Sequence, residues 1–357
     1  MDGIEATARI RADARFAEGS DYLKIVYEDG SSFGMTLPTV DAPTLVALID
    51  AAHARHKMAV VHISEYDKAR TAIDSGADGL VHSFKDVAPP ADFGAVVAKA
   101  GAFVVPTLAV LRKAHGEPTT IGDDPAIAPY LGPAAKQILA AAFSKAGKGE
   151  PGVTEALIAQ LVAAQVPILV GTDAPNAGTA HGASVHDELA LLVAAGVPTT
   201  TALAGATSVA ARAFGLADRG RIASGMRADL VLVEGDPTVT ITDTRRIVAI
   251  WRAGAKLDRD AYRAKIDRET KEAATPVEPG PLSAFDDGTL AVRFGQVWEP
   301  STDAMIGGAS TVTLTVVDRA LRLAGEVKPG DKPEAWAGAM FMPGPSSFAP
   351  VALSRTK

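Results

Sequence analysis

From residue 21 to residue 173 short apolar runs alternate with amphipathic segments, and this alternation constrains the fold more than any other feature of the chain. The runs are DYLKIVY (21 to 27), MAVVHIS (58 to 64), DGLVHSF (78 to 84), AFVVPTL (102 to 108) and PILVGTD (167 to 173), each of strand length. Between the first three lie TLVALIDAAHARH and EYDKARTAIDSG, where apolar residues recur at three and four and a glycine closes the second. Five consecutive βα steps of this kind wrap helices around a parallel sheet.

Residues 109 to 150 are richer in Gly, Pro and Lys and carry no clean period, so they are expected to form a long loop with a helix inside it, on the side where loops shape active sites. Two helical segments follow, HDELALLVAAG and TTALAGATSVAARAFG, the second stopped by Gly215. After Gly225 the strands ADLVLVEGDP and RRIVAIWRAGAKL predict a small β element. Residues 258 to 282 are charged and then Pro-rich, as a linker would be. From Leu282 onward short strands spaced by Gly, Asp and Pro predict a sandwich or jelly roll.

Composition removes several functions. The net charge is −7 and no Lys/Arg cluster is interleaved with aromatics, so the footprint for nucleic acid is missing. With no cysteine, disulfides, thiolate metal sites and cysteine nucleophiles are excluded, and any metal must sit on His, Asp, Glu or Lys. No apolar run approaches the ~20 residues of a membrane span. The opening MDGIEATARIRADARF lacks the features of a signal peptide, which leaves the compartment open between cytoplasm and periplasm.

Strand alternation puts Tyr22, Lys24 and Val26 on one face, likewise Val60, His62 and Ser64, and likewise Leu80, His82 and Phe84. Each polar residue then sits among apolar neighbours. In a parallel barrel the strand ends converge, and Lys24, His62, His82 and Asp173 would meet at one mouth. Singly, each has an ordinary explanation: a hydrogen-bonded core histidine, a lysine snorkelling from an edge strand, an aspartate capping the next helix. Together they describe an oxygen and nitrogen site suited to Zn²⁺ or a similar divalent ion.

The run GTDAPNAGTAHGASVHDELALLVAAGVPTTTALAGATSVAARAFGLADRGRIASGMRADLVLVEGDP, with DYLKIVYEDG, VVHIS and DGLVHSF, resembles the metal-dependent amidohydrolase superfamily, in its imidazolonepropionase-like and prolidase-like branch. The likeness covers about residues 15 to 257. It implies a distorted (β/α)₈ barrel of the TIM type with one or two metal ions. It further implies that Lys24, as a carbamate, bridges two metals and that His62 and His82 bind the second. By the same likeness Asp173 binds the first metal and shuttles the proton of a metal-activated hydroxide that hydrolyses a C–N bond in a small amide, dipeptide or cyclic amide. His181 and His186, just beyond the last barrel strand, are candidates for substrate binding, His186 also for a cap or supporting role.

Three departures shape the expectation. Members of that superfamily open the barrel with His-x-His, whereas no two of the seven histidines here are separated by one residue, and His53 and His56 fall at i, i+3 in a helix. The first clear strand carries the lysine that members place on strand four, so the sequence predicts a partial barrel, strands four to eight, from a longer parent. The tail, through STDAMIGG and WAGAMF, resembles a galactose-binding-like jelly roll of the complex I intermediate-associated type and is expected to stop part-way through it, on PSSFAPVALSRTK.

The expected organisation is therefore barrel over 1–226, β-sandwich element over 227–260, linker over 261–282 and partial jelly roll over 283–357. Two other functions stay open: an esterase, lactonase or phosphotriesterase on the same fold, and a non-catalytic fragment or half of a split enzyme. A second copy of the chain or a complementing N-terminal half is the expected partner beside a small-molecule substrate.

Overall fold

The computed structural model describes residues 3–143, 149–274, 283–292, 296–303, 309–328 and 335–341. The Pro-rich stretch at 275–282, residues 304–308 of the STDAMIGG run and the closing PSSFAPVALSRTK lie outside them. Contacts divide the chain into one unit of Met1–Pro129 with Ile138–Arg259 and a second of Tyr130–Gln137 with Asp260–Lys357.

The first unit begins with helix α1 (Gly3–Ala17) and then alternates strand and helix: β1 (Leu23–Val26), α2 (Ala42–His53), β2 (Ala59–His62), α3 (Tyr66–Asp74), β3 (Gly79–Val81), α4 (Phe93–Ala100) and β4 (Phe103–Val105). The four strands are parallel and in chain order, with Leu23 opposite Ala59, Val61 opposite Leu80 and Leu80 opposite Val104. Helix α2 shows why the crossovers form. Asp41 caps it by accepting from the Thr44 amide at 2.9 Å, a proline stands in the first turn, and Leu45, Ile49 and Ala52 make the buried stripe.

The alternation predicted from sequence divides this sheet. Leu23, Ile25, Ala59, Val61, Leu80 and Val104 pack under the helices in the main core, while Val60 and Phe103 face a smaller cluster with Leu169, Val81 and Val105. That second face is the one the expected barrel would enclose. At β1, the sheet edge among the described residues, it is bare: Lys24 is exposed, and Val26 is 56% exposed. The expectation that Lys24 sits among buried neighbours is corrected here, because the neighbours on its own face, Tyr22 and Val26, are themselves exposed.

The fifth predicted strand, 167 to 173, shrinks to a parallel bridge between Val104 and Ile168. Its reason is visible in the backbone. Val104 and Leu169 close the ladder on one side, but the Val170 amide donates to Gly205 O at 3.2 Å, at the end of a helix, so no further strand pairs there among the described residues. Residues 109 to 150 hold more structure than a loop with one helix: α5 (Leu108–Ala114), two 3₁₀ turns and α6 (Pro133–Ala140). Helices α7 (Val153–Ala163), α8 (Ser184–Ala194), α9 (Thr199–Gly205) and α10 (Ser208–Ala213) follow.

The small β element is one three-stranded antiparallel sheet, β5 (Leu230–Val233), β6 (Ile247–Arg252) and β7 (Ala255–Lys256). A sandwich is expected here; Val231 and Leu232, which point to opposite faces, are both exposed, while Ala249, opposite Leu232, is buried.

In the second unit α11 (Arg259–Ala274) occupies most of the predicted linker; two pairs of antiparallel strands follow, β8 (Glu299–Thr302) with β11 (Ala337–Met340) and β9 (Thr311–Val317) with β10 (Ala320–Glu326). Asp318 and Arg319, both at positive φ, turn the β9–β10 hairpin, matching the twist of its strands. These pairs fall within the residues where a jelly roll is expected.

Candidate active site

Three side chains that matter sit just past successive sheet positions: His82 one residue after β3, Thr107 two after β4, Asp173 five after the Ile168 bridge. All three are in the left-handed region, at φ 75, 54 and 53. Left-handed backbone costs free energy in any residue with a Cβ and most in a β-branched one, so its recurrence at three neighbouring positions needs a compensating arrangement. That arrangement is their mutual contact. His82 Nδ1 lies 2.6 Å from Thr107 Oγ1, and His82 Nε2 lies 3.9 Å from Asp173 Oδ2.

The turn at His82 also changes its face. Strict alternation would put it with Leu80 and Phe84 under the helices, where both of those are buried. The strand ends at Val81 instead, and the left-handed residue swings the imidazole to the opposite side, where its ring meets that of His62 edge-on, centroids 4.4 Å apart. His62 needs no such turn: it closes β2 on the inner face, in register with Val26 and Val81. Lys24 pairs with Val60, two residues deeper than His62, and so approaches the histidines from below the mouth.

Burial lowers the pKa of His62 to about 4, helped by the charge of Lys24 and opposed by Asp173. Burial likewise lowers that of His82 to about 3, and the neighbouring His62 and Lys24 add to the effect. Both rings are therefore neutral at pH 7, the form that can donate a lone pair to a cation. Asp173 is a third exposed, and Asn176 Nδ2 donates to its Oδ2 at 2.8 Å and to its backbone oxygen at 2.7 Å, which fixes the carboxylate's direction.

The approach to Asp173 depends on Gly171. A Cβ there would lie 2.5 Å from Val105 Cγ1. Gly171→Ala is expected to destabilise the fold by about 1–3 kcal/mol through overpacking. Urea midpoints check it, and an unchanged midpoint would mean that the contact yields freely.

Two residues escaped the sequence reading. Glu28 is buried beside His62, its Oε2 4.0 Å from His62 Nε2, held by the Ser64 hydroxyl and, at 2.5 Å, by the Gly30 amide. It was legible, since the alternation that selects Lys24 and Val26 continues to Glu28. Thr107 carries no sequence signal, because threonine disfavours the conformation it adopts.

Of the two later histidines, His181 is exposed in the turn before α8. His186 is buried on α8, its Nδ1 3.0 Å from Thr244 Oγ1, and its contact ties α8 to the 3₁₀ turn Ile241–Arg245. Burial lowers its pKa to about 4, with Arg245 adding to the effect and Asp124 opposing it.

The pairs His82 with Asp173 and His62 with Glu28 stand 3.9 and 4.0 Å apart, wider than the roughly 3.4 Å between two ligands of a tetrahedral ion at ~2.1 Å. Among the described residues no three His, Cys, Asp or Glu close on a single point. The donor types, imidazole and carboxylate, suit a divalent ion, but the described residues do not close on one.

The comparison with family models decides the relationship: residues 27–257 match the amidohydrolase family. The chain belongs to that family. Members of this family bind divalent metal ions, in keeping with the neutral imidazoles and carboxylates described above. Similar folds occur in a Xaa-Pro dipeptidase crystallised with methionine in its active site, at 19% identity and a TM-score of 0.54, over 72% of this chain and 59% of that one. The ochratoxinase of A. niger matches at 20% identity and a TM-score of 0.53, over 72% and 55%. Molinate hydrolase matches at 19% and 0.54, over 72% and 55%. This amidohydrolase family chain thus spans less than two thirds of the length of these structures. No curated protein matches it. Among the described residues no helix is long and apolar enough to cross a membrane.

Proposed function

We propose that the chain carries the strand-end half of a metal-dependent hydrolase site for C–N bonds in a small amide, dipeptide or cyclic amide. The observation that supports this reading is the convergence of His82, Thr107 and Asp173, three left-handed residues joined by 2.6 and 3.9 Å contacts at adjacent strand ends. Lys24, His62, His82 and Asp173 would hold Zn²⁺ or a similar ion, one or two in number, with Glu28 beside His62. A divalent ion held there supplies Lewis acidity, lowering the pKa of water toward neutrality and polarising a carbonyl.

The chain's own residues do the rest. Asp173, partly exposed and aimed by Asn176, accepts a proton from water and returns it to the leaving nitrogen. His82 stays neutral because it is buried, and Thr107 orients it. Carboxylation of Lys24 would replace a cation by an anion beside both imidazoles, turning a repulsion into an attraction for metal. His181, exposed at the turn before α8, is the candidate for touching substrate, while His186 would act through Thr244.

A panel of N-acyl amino acids, Xaa-Pro dipeptides and cyclic amides, run beside matched esters, lactones and phosphotriesters with added zinc, tests the reading. Turnover of amides with kcat/KM above that of their ester partners is expected. Turnover of esters or phosphotriesters alone would replace it. A second reading draws support from β1, whose inner face is exposed at the sheet edge: a complementing chain or a second copy covers that face before catalysis. Activity that rises with the square of protein concentration, or only on adding a second chain, would favour it.

A further inference from the structure

Helix α5 solves its first-turn problem in an unusual way. The first amides of a helix have no partner within it, and a threonine just before the helix ordinarily accepts from one of them with its own hydroxyl. Thr107 stands at that position and makes no such bond. Its Oγ1 is 2.6 Å from His82 Nδ1 instead. The amides of Leu108 and Ala109 donate to Glu188 Oε1 at 2.9 Å and Oε2 at 2.7 Å, from a residue on α8 far along the chain.

Glu188 is completely buried, which is an expensive place for a carboxyl that only caps a seven-residue helix. The burial makes sense if the threonine hydroxyl has to be elsewhere. A threonine has one hydroxyl, and it can serve the helix from the extended region or His82 from the left-handed region, not both. With both amides taken by Glu188, Thr107 gains nothing by returning to the helix. Without Glu188, capping and relief of the left-handed strain pull the hydroxyl off the imidazole together.

We propose that Glu188 is a positioning residue for His82, acting by capping α5 in place of Thr107 and so leaving the Thr107 hydroxyl to orient the imidazole. The proposal assigns the proton to Nδ1, donating to Thr107 Oγ1 across 2.6 Å, which leaves the lone pair on Nε2, the atom that faces Asp173 Oδ2. The consequence for metal affinity rests on the reading of His82 as a ligand. The consequence for its tautomer does not.

The test uses the full metal-free chain labelled with ¹⁵N-histidine, and reads the His82 tautomer from long-range ¹H–¹⁵N correlations and zinc affinity by titration calorimetry. The variants are Glu188→Gln, Glu188→Asp, Thr107→Val, Thr107→Ser and the double Glu188→Gln/Thr107→Val. In the wild type His82 is expected wholly as Nδ1–H. Glu188→Gln should give mixed tautomers and zinc affinity at least tenfold weaker, Thr107→Val the same, and Thr107→Ser should stay within twofold of wild type. In the Thr107→Val background Glu188→Gln should change affinity less than twofold, because the path is already cut.

If Glu188→Gln fails to fold, Glu188→Asp, which keeps the carboxyl but shortens its reach, must show the mixed tautomers. A folded Glu188 variant with the wild-type tautomer and affinity overturns the proposal, as do independent, multiplying effects of the two substitutions. A wild type that binds no zinc but keeps a Glu188-dependent Nδ1–H tautomer overturns only the ligand reading.

Discussion

The metal-free protein is expected to be most stable near pH 6.5 and to lose stability on both sides, far more steeply toward acid. Three imidazoles, His62, His82 and His186, have folded pKa values of about 4, 3 and 4, all depressed from the ordinary 6.5 by burial. Between those values and 6.5 the unfolded chain binds the more protons, so stability rises with pH across that window and is lost as pH falls through it. One pKa unit corresponds to about 1.4 kcal/mol, and with coupling between the adjacent His62 and His82 discounted the acid-side loss is on the order of 5 kcal/mol.

Glu188 works with the opposite sign. Burial pushes its pKa from 4.5 up to about 8, against the pull of the α5 amides, so the native state holds the extra proton and stability falls as pH rises from 4.5 to 8. Below pH 6.5 three histidines outweigh one glutamate. Above it the glutamate acts alone. Urea midpoints from pH 4 to 9 on chelator-treated protein check the curve, and Glu188→Gln should flatten its alkaline arm and steepen its acid arm between pH 4.5 and 6.5. Stability that climbs on acidification from pH 6.5 to 5 would contradict the assignment of three neutral, buried imidazoles.

Asp173→Asn is expected to lower kcat for amide hydrolysis by about 10²- to 10⁴-fold, the usual contribution of a placed proton acceptor, with little change in fold. Asparagine tolerates the left-handed backbone at φ 53 at least as well as aspartate, and its amide oxygen can still accept from Asn176. What disappears is the charge and the basic oxygen 3.9 Å from His82 Nε2. Far-ultraviolet dichroism and melting curves close to wild type, together with the loss of turnover, make the expected result. Full activity would remove Asp173 from the chemistry and leave it a turn residue.

Much of this arrangement could be read in the sequence, and the failures have physical causes. Alternation placed His62 on the inner face of β2, and the βα rhythm gave the parallel order of four strands, because both depend on periods that short apolar runs display directly. His82 reached the mouth by another route than the one expected: its left-handed backbone reverses the face that alternation assigns, and a single dihedral leaves no trace in a pattern of residue types. The exposure of Lys24 depends on what covers β1, a tertiary property. Glu188 leaves a signal, a carboxylate in the buried stripe with Ser184 and Leu192 at i−4 and i+4, which the ordinary amphipathic pattern of HDELALLVAAG masks.

Membership of the amidohydrolase family, shown over residues 27–257, makes metal use the central claim to test on this chain. Zinc content per chain after purification and zinc loading, measured by elemental analysis, tests it most directly for the natural sequence and for the double variant His62→Ala/His82→Ala. The account predicts at least one equivalent in the natural chain and a loss of at least one in the double variant, with both proteins folded. A folded natural chain that holds no metal, or a double variant that holds as much, would contradict it.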